Sequence, residues 1–419
     1  MLDLFPVTAT VAGGELVLGA VPATRLAAEH GTPLVVYCAD TIRAQATAYE
    51  RAAPDAQLVY GSKAFPNVAI VGLLGRLGFG ADVASLGELR IALAAGLAGE
   101  RMIVHGNEKS DELLAGASEI GALVVLDAPD EVERAAAAGV RRVLVRVTPG
   151  IEADTHEAIR TAHHGSKFGL PPDDAVDAIA RARAAGLDVQ GLHVHIGSQL
   201  LHVGAAEMTV EWLSLFVARC RSELGWTPAL LDVGGGLGVR HVAEEEPPSV
   251  EQFVGRIVTW LERAWALQDL PRPRIVLEPG RSLVGRAGVT LYRVGTVKRA
   301  ADTTMYVAID GGMSDNPRPQ LYGARYSALL ANRADEPPAG AYAIAGLHCE
   351  SGDVLIDRVE LPEPRRGDLL AVPATGGYVL AMSSNYNAVP RPAAVLVENG
   401  ESRVIRRRET IDDLLALEM

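Results

Sequence analysis

The strongest constraint in this chain is a repeated phrase: a short apolar run ending in Gly, Ser, Lys, His, Asn or Glu, then a helix-like stretch. It recurs as LVYGSK ending at Lys63, FGADVAS at Ser85, MIVHGN at Asn107, LVRVTPG at Gly150, LHVHIGSQ at Gln199, LLDVGGG at Gly236 and IVLEPGR at Arg281. Strand and helix alternating, with polar chemistry always at the strand's C-terminal end, predict a (β/α)8 TIM barrel with its active site at that end. With LVVYC and GALVVLDA there are nine strand candidates where a barrel needs eight. LVVYC is therefore expected to carry the chain in from a second domain.

At 419 residues the chain is long for one barrel. After Arg281 the text becomes β-rich, as in AGVTLYRVGTVKRA, TMYVAID, AYAIAG, DLLAVPA and AAVLVENG. Alternation with Gly and Pro punctuation predicts an antiparallel barrel or sandwich. The expected division is an N-terminal segment at 1–30 that joins the β domain, the (β/α)8 barrel at 31–283, and an all-β domain at 284–419. The acidic EEEPPS at 244–249 reads as an exposed loop of the barrel domain.

A net charge of -13 argues against a nucleic-acid partner, and the short arginine run ending at Arg408 reads as a solvated strand end. No apolar stretch approaches the roughly 20 residues of a membrane span. The N-terminus lacks a basic, cleavable leader pattern, so the expected location is cytoplasmic. Three cysteines without metal-type spacing fit a reducing compartment. Cys38 and Cys220 lie in apolar runs as packing residues, whereas Cys349 sits in polar HCESGD.

The polar strand ends carry chemistry of a consistent kind. Lys63 is either a surface lysine or an amine in the barrel mouth, where it can form a Schiff base. The glycines at 234–236 make a tight turn or let backbone N–H groups approach a phosphate, and a late barrel loop favours the second. Ser198 could donate to the same phosphate or cap a helix. His193 and His195 alternate on one strand and can face the same side. No metal is expected there, because no third His or Cys ligand stands at usable spacing; a flat imidazole could instead stack on a planar cofactor. Glu278 and Arg281 either pair with each other, or hold a ring nitrogen and an anion respectively. Arg318, Tyr322, Cys349, Glu350, Asp353 and Tyr386 add a guanidinium, carboxylates, a thiol and phenols in loops of the β-rich part.

With Lys63, HIGSQ, DVGGG, EPGR and CESGD in that order, the chain resembles the fold-type III pyridoxal-phosphate decarboxylases over nearly its whole length. HGNEKS, KFGL at 167–170, DNPRPQLYGA and SSNYNAVPRPAAVLV resemble the diaminopimelate decarboxylase branch. The resemblance implies an alanine-racemase-type barrel and decarboxylation of meso-2,6-diaminopimelate to L-lysine and carbon dioxide, the last step of lysine biosynthesis. A sister enzyme of the same fold, acting on another amino acid or a carrier-bound aminoacyl group, is the alternative.

The resemblance also implies roles for residues. Lys63 would hold pyridoxal 5'-phosphate covalently, His195 would stack on its ring, and Glu278 would meet its ring nitrogen. Ser198, Gly235, Gly236, Gly280 and Arg281 would hold its phosphate. Arg281, Arg318, Tyr322 and Glu350 would bind substrate, and Tyr386 both substrate and cofactor. Cys349 or Lys63 would protonate the product. Cys349 and Glu350 would enter from the partner of a homodimer, and Lys167 would pair with Asp353 across that interface. Gly61 and Ser62 in YGSKAFPN, and the missing proline before CESGD, depart from the usual pattern without removing a reacting group.

Overall fold

The computed structural model describes residues 1–149, 166–195 and 197–419. Gly150, the expected end of LVRVTPG, and Ile196 of HIGSQ lie outside them. The chain forms two compact units, one made of Gln45–Gly238 with Pro247–Arg281, the other of Met1–Ala44, Val239–Glu246 and Ser282–Met419.

The first unit is a closed barrel of eight parallel strands. In chain order they are Gln57–Gly61, Gly80–Val83, Met102–Val104, Leu123–Leu126, Arg142–Arg146, Asp188–His193, Leu230–Asp232 and Arg274–Leu277. Strands buried on both faces need side chains that are apolar throughout, which is why these runs are short and nearly continuous in Val, Ile and Leu. Val59, Ile103, Leu123, Val125, Leu144 and Val276 pack into one fully enclosed cluster.

Several helices begin within a few residues of a strand end, and short polar side chains start them. Asn67 Oδ1 accepts from Ala69 N at 2.9 Å, Ser85 Oγ from Glu88 N at 3.2 Å, and Ser110 Oγ from Leu113 N at 3.1 Å. Each satisfies an otherwise orphaned helix donor, a contribution of about 1 kcal/mol. Ser85, which ends one of the repeated phrases, is thus a helix cap. Ser198 is not, because the next helix, Gly204–Leu224, begins after Val203.

In the second unit LVVYC, at Leu34–Cys38, lies outside the barrel. It pairs antiparallel with Gly288–Arg299 and parallel with Ala393–Glu398 in a nine-stranded sheet. Met305–Ile309 and Gly340–Ala345 form a second parallel pair, so the sheet is mixed where the alternation predicted an antiparallel one. Alternation reports one buried face and says nothing about strand direction. Val239–Glu246 groups with this unit: Arg325 reaches Glu244 at 3.2 Å and the His241 ring stands edge-on to Tyr326 at 5.3 Å. The arginine run does more than meet solvent, since Arg408 Nη2 donates to Pro33 O at 2.7 Å.

Candidate active site

Every barrel strand delivers a polar side chain at or just beyond its C-terminal end. In strand order these are Lys63, Asp82, His105, Asp127, Arg146, His193, Asp232 and Glu278. All but Lys63 are buried.

Lys63 lies in the single 3-10 turn Ser62–Ala64 that follows the first strand. That turn is anchored by Ser62 Oγ, which donates to Asp82 O at 2.6 Å, and by Gly61 N, which donates to Pro279 O at 3.1 Å. A Cβ on Gly61 would meet its nearest neighbour at 3.4 Å, so glycine and alanine both fit there. The Lys63 side chain is half exposed, at 51%, with Nζ 3.9 Å from Asp82 Oδ2.

From Asp82 a line of titratable groups crosses the barrel. His105 Nε2 stands 3.8 Å from Asp82 Oδ1 and 2.6 Å from Glu278 Oε1, and His193 Nε2 lies 3.5 Å from Glu278 Oε2. The His105 and His193 rings meet edge-on at 4.8 Å, and the His193 and His195 rings lie parallel at 6.5 Å. Burial alone would raise Glu278, but the charge and hydrogen bond of His105, joined by His193, hold it well below the usual carboxylate range. Burial and the neighbouring Glu278 charge push Asp232 well above that range. Burial drives His193 down to about 3, and burial with the Lys63 charge lowers His195. The centre thus holds an ionised Glu278 beside the neutral imidazoles of His193 and His195, with Asp232 pushed toward its protonated form.

His105, His193, Asp232 and Glu278 offer ligand atoms within 4.8 Å of one another, a grouping the sequence spacing did not reveal. The 2.6 Å contact between His105 and Glu278 is closer than the roughly 3.3 Å that two ligands of a tetrahedral zinc keep from each other. A hydrogen-bonded pair accounts for it.

Beside this centre the glycine run closes against neighbouring backbone. A Cβ on Gly234 would lie 2.4 Å from His195 Nδ1, and one on Gly235 would lie 2.3 Å from Glu278 O. Glycine is required for that approach, and Glu278 N seals it by donating to Gly234 O at 2.9 Å. Arg281 is buried and its Nη2 donates to Ser198 Oγ at 3.1 Å. Glu278 and Arg281 therefore serve different partners instead of each other.

The β unit brings together a second group. Tyr386 donates its hydroxyl to Glu350 Oε1, which raises the Tyr386 phenol, and Cys349 N donates to Asn387 Oδ1 at 3.2 Å. His348 Nδ1 lies 3.3 Å from the same Asn387 oxygen, and its ring is 5.6 Å from that of Tyr386. Arg318 is buried, donates from Nε to Tyr326 Oη at 3.0 Å and lies 5.6 Å over the Tyr322 ring. Asp353 is buried and accepts from Met313 N at 2.7 Å and His348 N at 2.9 Å. Both its oxygens are engaged within its own chain, so it is not the exposed partner expected for Lys167, which lies over Phe168 at 4.9 Å.

Five barrel residues escaped the sequence reading: Asp82, His105, Asp127, Arg146 and Asp232. Their signal was one polar residue closing each apolar strand, visible only once the strands are aligned by their ends.

The pyridoxal-binding domain of the pyridoxal-dependent decarboxylases matches residues 39–285. Diaminopimelate decarboxylase of Actinosynnema pretiosum subsp. auranticum is 45% identical, the alignment covering 99% of this chain and 95% of that protein. The Bacillus subtilis (strain 168) enzyme of that name is 40% identical over 97% and 95%. The chain belongs to the diaminopimelate decarboxylase family. A solved diaminopimelate decarboxylase from M. jannaschii, crystallised with L-lysine, superposes with a TM-score of 0.92 at 31% identity, covering 99% of this chain and 98% of that one.

Members of this family use pyridoxal phosphate, and the residues here fit it. The glycine run packs its backbone where any side chain would clash and so keeps a late strand end free of side chains, Arg281 and Ser198 supply donors for an anion, and Lys63 presents an amine. A buried, ionised Glu278 suits a protonated ring nitrogen. Among the described residues no helix is long and apolar enough to cross a membrane.

Proposed function

We infer that this chain decarboxylates meso-2,6-diaminopimelate to L-lysine and carbon dioxide, the closing step of lysine biosynthesis, in the cytoplasm. Identity of 38–45% to diaminopimelate decarboxylases over nearly the whole chain carries this reading. When bound, pyridoxal phosphate supplies an electron sink for the pair left on the α-carbon as the bond to the carboxylate breaks.

The chain's own groups do the rest. Lys63 holds the cofactor through its amine, and His195 covers the ring face. Glu278 keeps a proton on the ring nitrogen. Gly235, Gly236, Gly280, Ser198 and Arg281 hold the phosphate, and a bidentate guanidinium suits that task. Arg318 takes the carboxylate at the far end of the substrate and Glu350 the ammonium there, so an acid with amino and carboxylate groups at both ends is selected. Tyr322 and Tyr386 wall the substrate. Cys349 Sγ or Lys63 Nζ returns a proton to the α-carbon, which balances the carbon dioxide lost.

The working form is a homodimer in which Cys349 and Glu350 complete the partner's site. The test is to incubate the protein with pyridoxal phosphate and meso-diaminopimelate. Lysine and carbon dioxide should appear in equal amounts, with no turnover of ornithine or arginine; release of a different amine would replace this reading.

A further inference from the structure

We propose that His105 is a positioning residue that holds Glu278 ionised and aimed. This rests on the reading that Glu278 meets the cofactor's ring nitrogen. Four observations carry it. His105 and Glu278 are both buried, and their 2.6 Å contact is the shortest from Glu278 to any charged partner among the described residues. A buried carboxylate stays ionised only with a donor beside it, and among the described residues the other imidazole on Glu278, that of His193, is farther away at 3.5 Å. The backbone at each end is fixed: His105 N donates to Val83 O at 2.8 Å, and Glu278 N to Gly234 O at 2.9 Å. The His193 ring packs edge-on against His105 and limits its rotation.

His105 also faces Asp82 at 3.8 Å, and Asp82 faces Lys63 at 3.9 Å. It therefore lies between the group that meets the cofactor's ring and the amine that holds the cofactor. Among the described residues the groups around Glu278 are His105, His193, His195 and Asp232, with the charges of Asp82 and Arg146 beyond them. His105 is the one that donates to Glu278 at full hydrogen-bond strength. Without it a buried Glu278 would take up a proton itself and no longer hold one on the ring.

The experiment compares His105→Leu, His105→Gln, Glu278→Gln and the double variant His105→Leu/Glu278→Gln as holoenzymes. His105→Leu should lower kcat on the order of 100-fold while KM moves less than about 3-fold, a loss confined to the reacting state. It should shift the absorbance spectrum of the bound cofactor and weaken cofactor affinity measured by fluorescence titration. Glutamine, which still donates, should restore most of the spectrum. In the Glu278→Gln background the leucine change should cost little more, because the two residues act as one unit. An unchanged spectrum in a folded His105→Leu enzyme, or additive losses in the double variant, overturns the proposal. Should Glu278→Gln itself leave spectrum and turnover intact, the role of Glu278 fails instead, and the His105 proposal with it.

Discussion

At the residue scale, Lys63 and Glu278 were legible because each ends an apolar strand inside a recognisable phrase. His105 and Asp232 were not, because their meaning lies in distances to groups 173 and 46 residues away, which local text does not encode. Lys63→Ala should abolish turnover and the cofactor absorbance of the native protein, and borohydride reduction of wild type followed by peptide mapping should label Lys63. Labelling elsewhere would displace Lys63 from its role. His193 makes a prediction about pH. Its folded value is depressed to about 3 from 6.5, so between those values the unfolded chain binds a proton that the folded one refuses. Stability from this group is intact above 6.5 and falls as pH drops toward 3. Asp315 has the opposite sign: burial raises it from 3.8 to about 7, so its contribution falls as pH rises across that window. On acidification from pH 7 to 4, His193→Asn should therefore lose less stability than wild type, the Asp315 contribution being common to both, and an equal change in the two unfolding midpoints would contradict the burial argument.

At the element scale, strand and helix existence was written in the periodicity, while strand direction in the β unit was not. A residue pattern of period 2 is the same for parallel and antiparallel neighbours, so the two parallel pairs were invisible. The glycine run shows what else the sequence conceals, since three identical letters differ in what surrounds them. Gly235→Ala would drive a Cβ to 2.3 Å from the backbone oxygen of Glu278, where no flexible side chain can yield. Overpacking of this kind costs about 1–3 kcal/mol. If this segment holds the cofactor's phosphate, as proposed, the change should also weaken cofactor binding. Gly204→Ala, at the start of a helix and with nothing within 4 Å, is the control and should be neutral or slightly stabilising. Denaturant midpoints and cofactor titrations of the two variants check the contrast; similar behaviour would mean the cradle can relax.

At the scale of the whole molecule, the barrel's motifs identified the cofactor chemistry, and the β unit carries the groups assigned to the substrate. Tyr386 and Glu350 are hydrogen-bonded within one chain, so a substitution at either disturbs the same cluster. If that cluster completes the partner's site while Lys63 serves its own, each site in a dimer needs one intact copy of each residue. Lys63→Ala and Glu350→Ala homodimers should then both be inactive. Co-expressed at equal levels, half the dimers would be mixed. In each mixed dimer one site would combine the two damaged residues and the other would combine the two intact ones. Activity should therefore recover to about a quarter of wild type, a consequence of two-fold symmetry alone. If instead each site draws both residues from a single chain, every site in every mixed dimer carries one lesion and no recovery occurs. The assay of lysine release from the co-expressed pool distinguishes these arrangements without any assumption about chemistry, since the same two substitutions are present in both cases and only their distribution between sites differs.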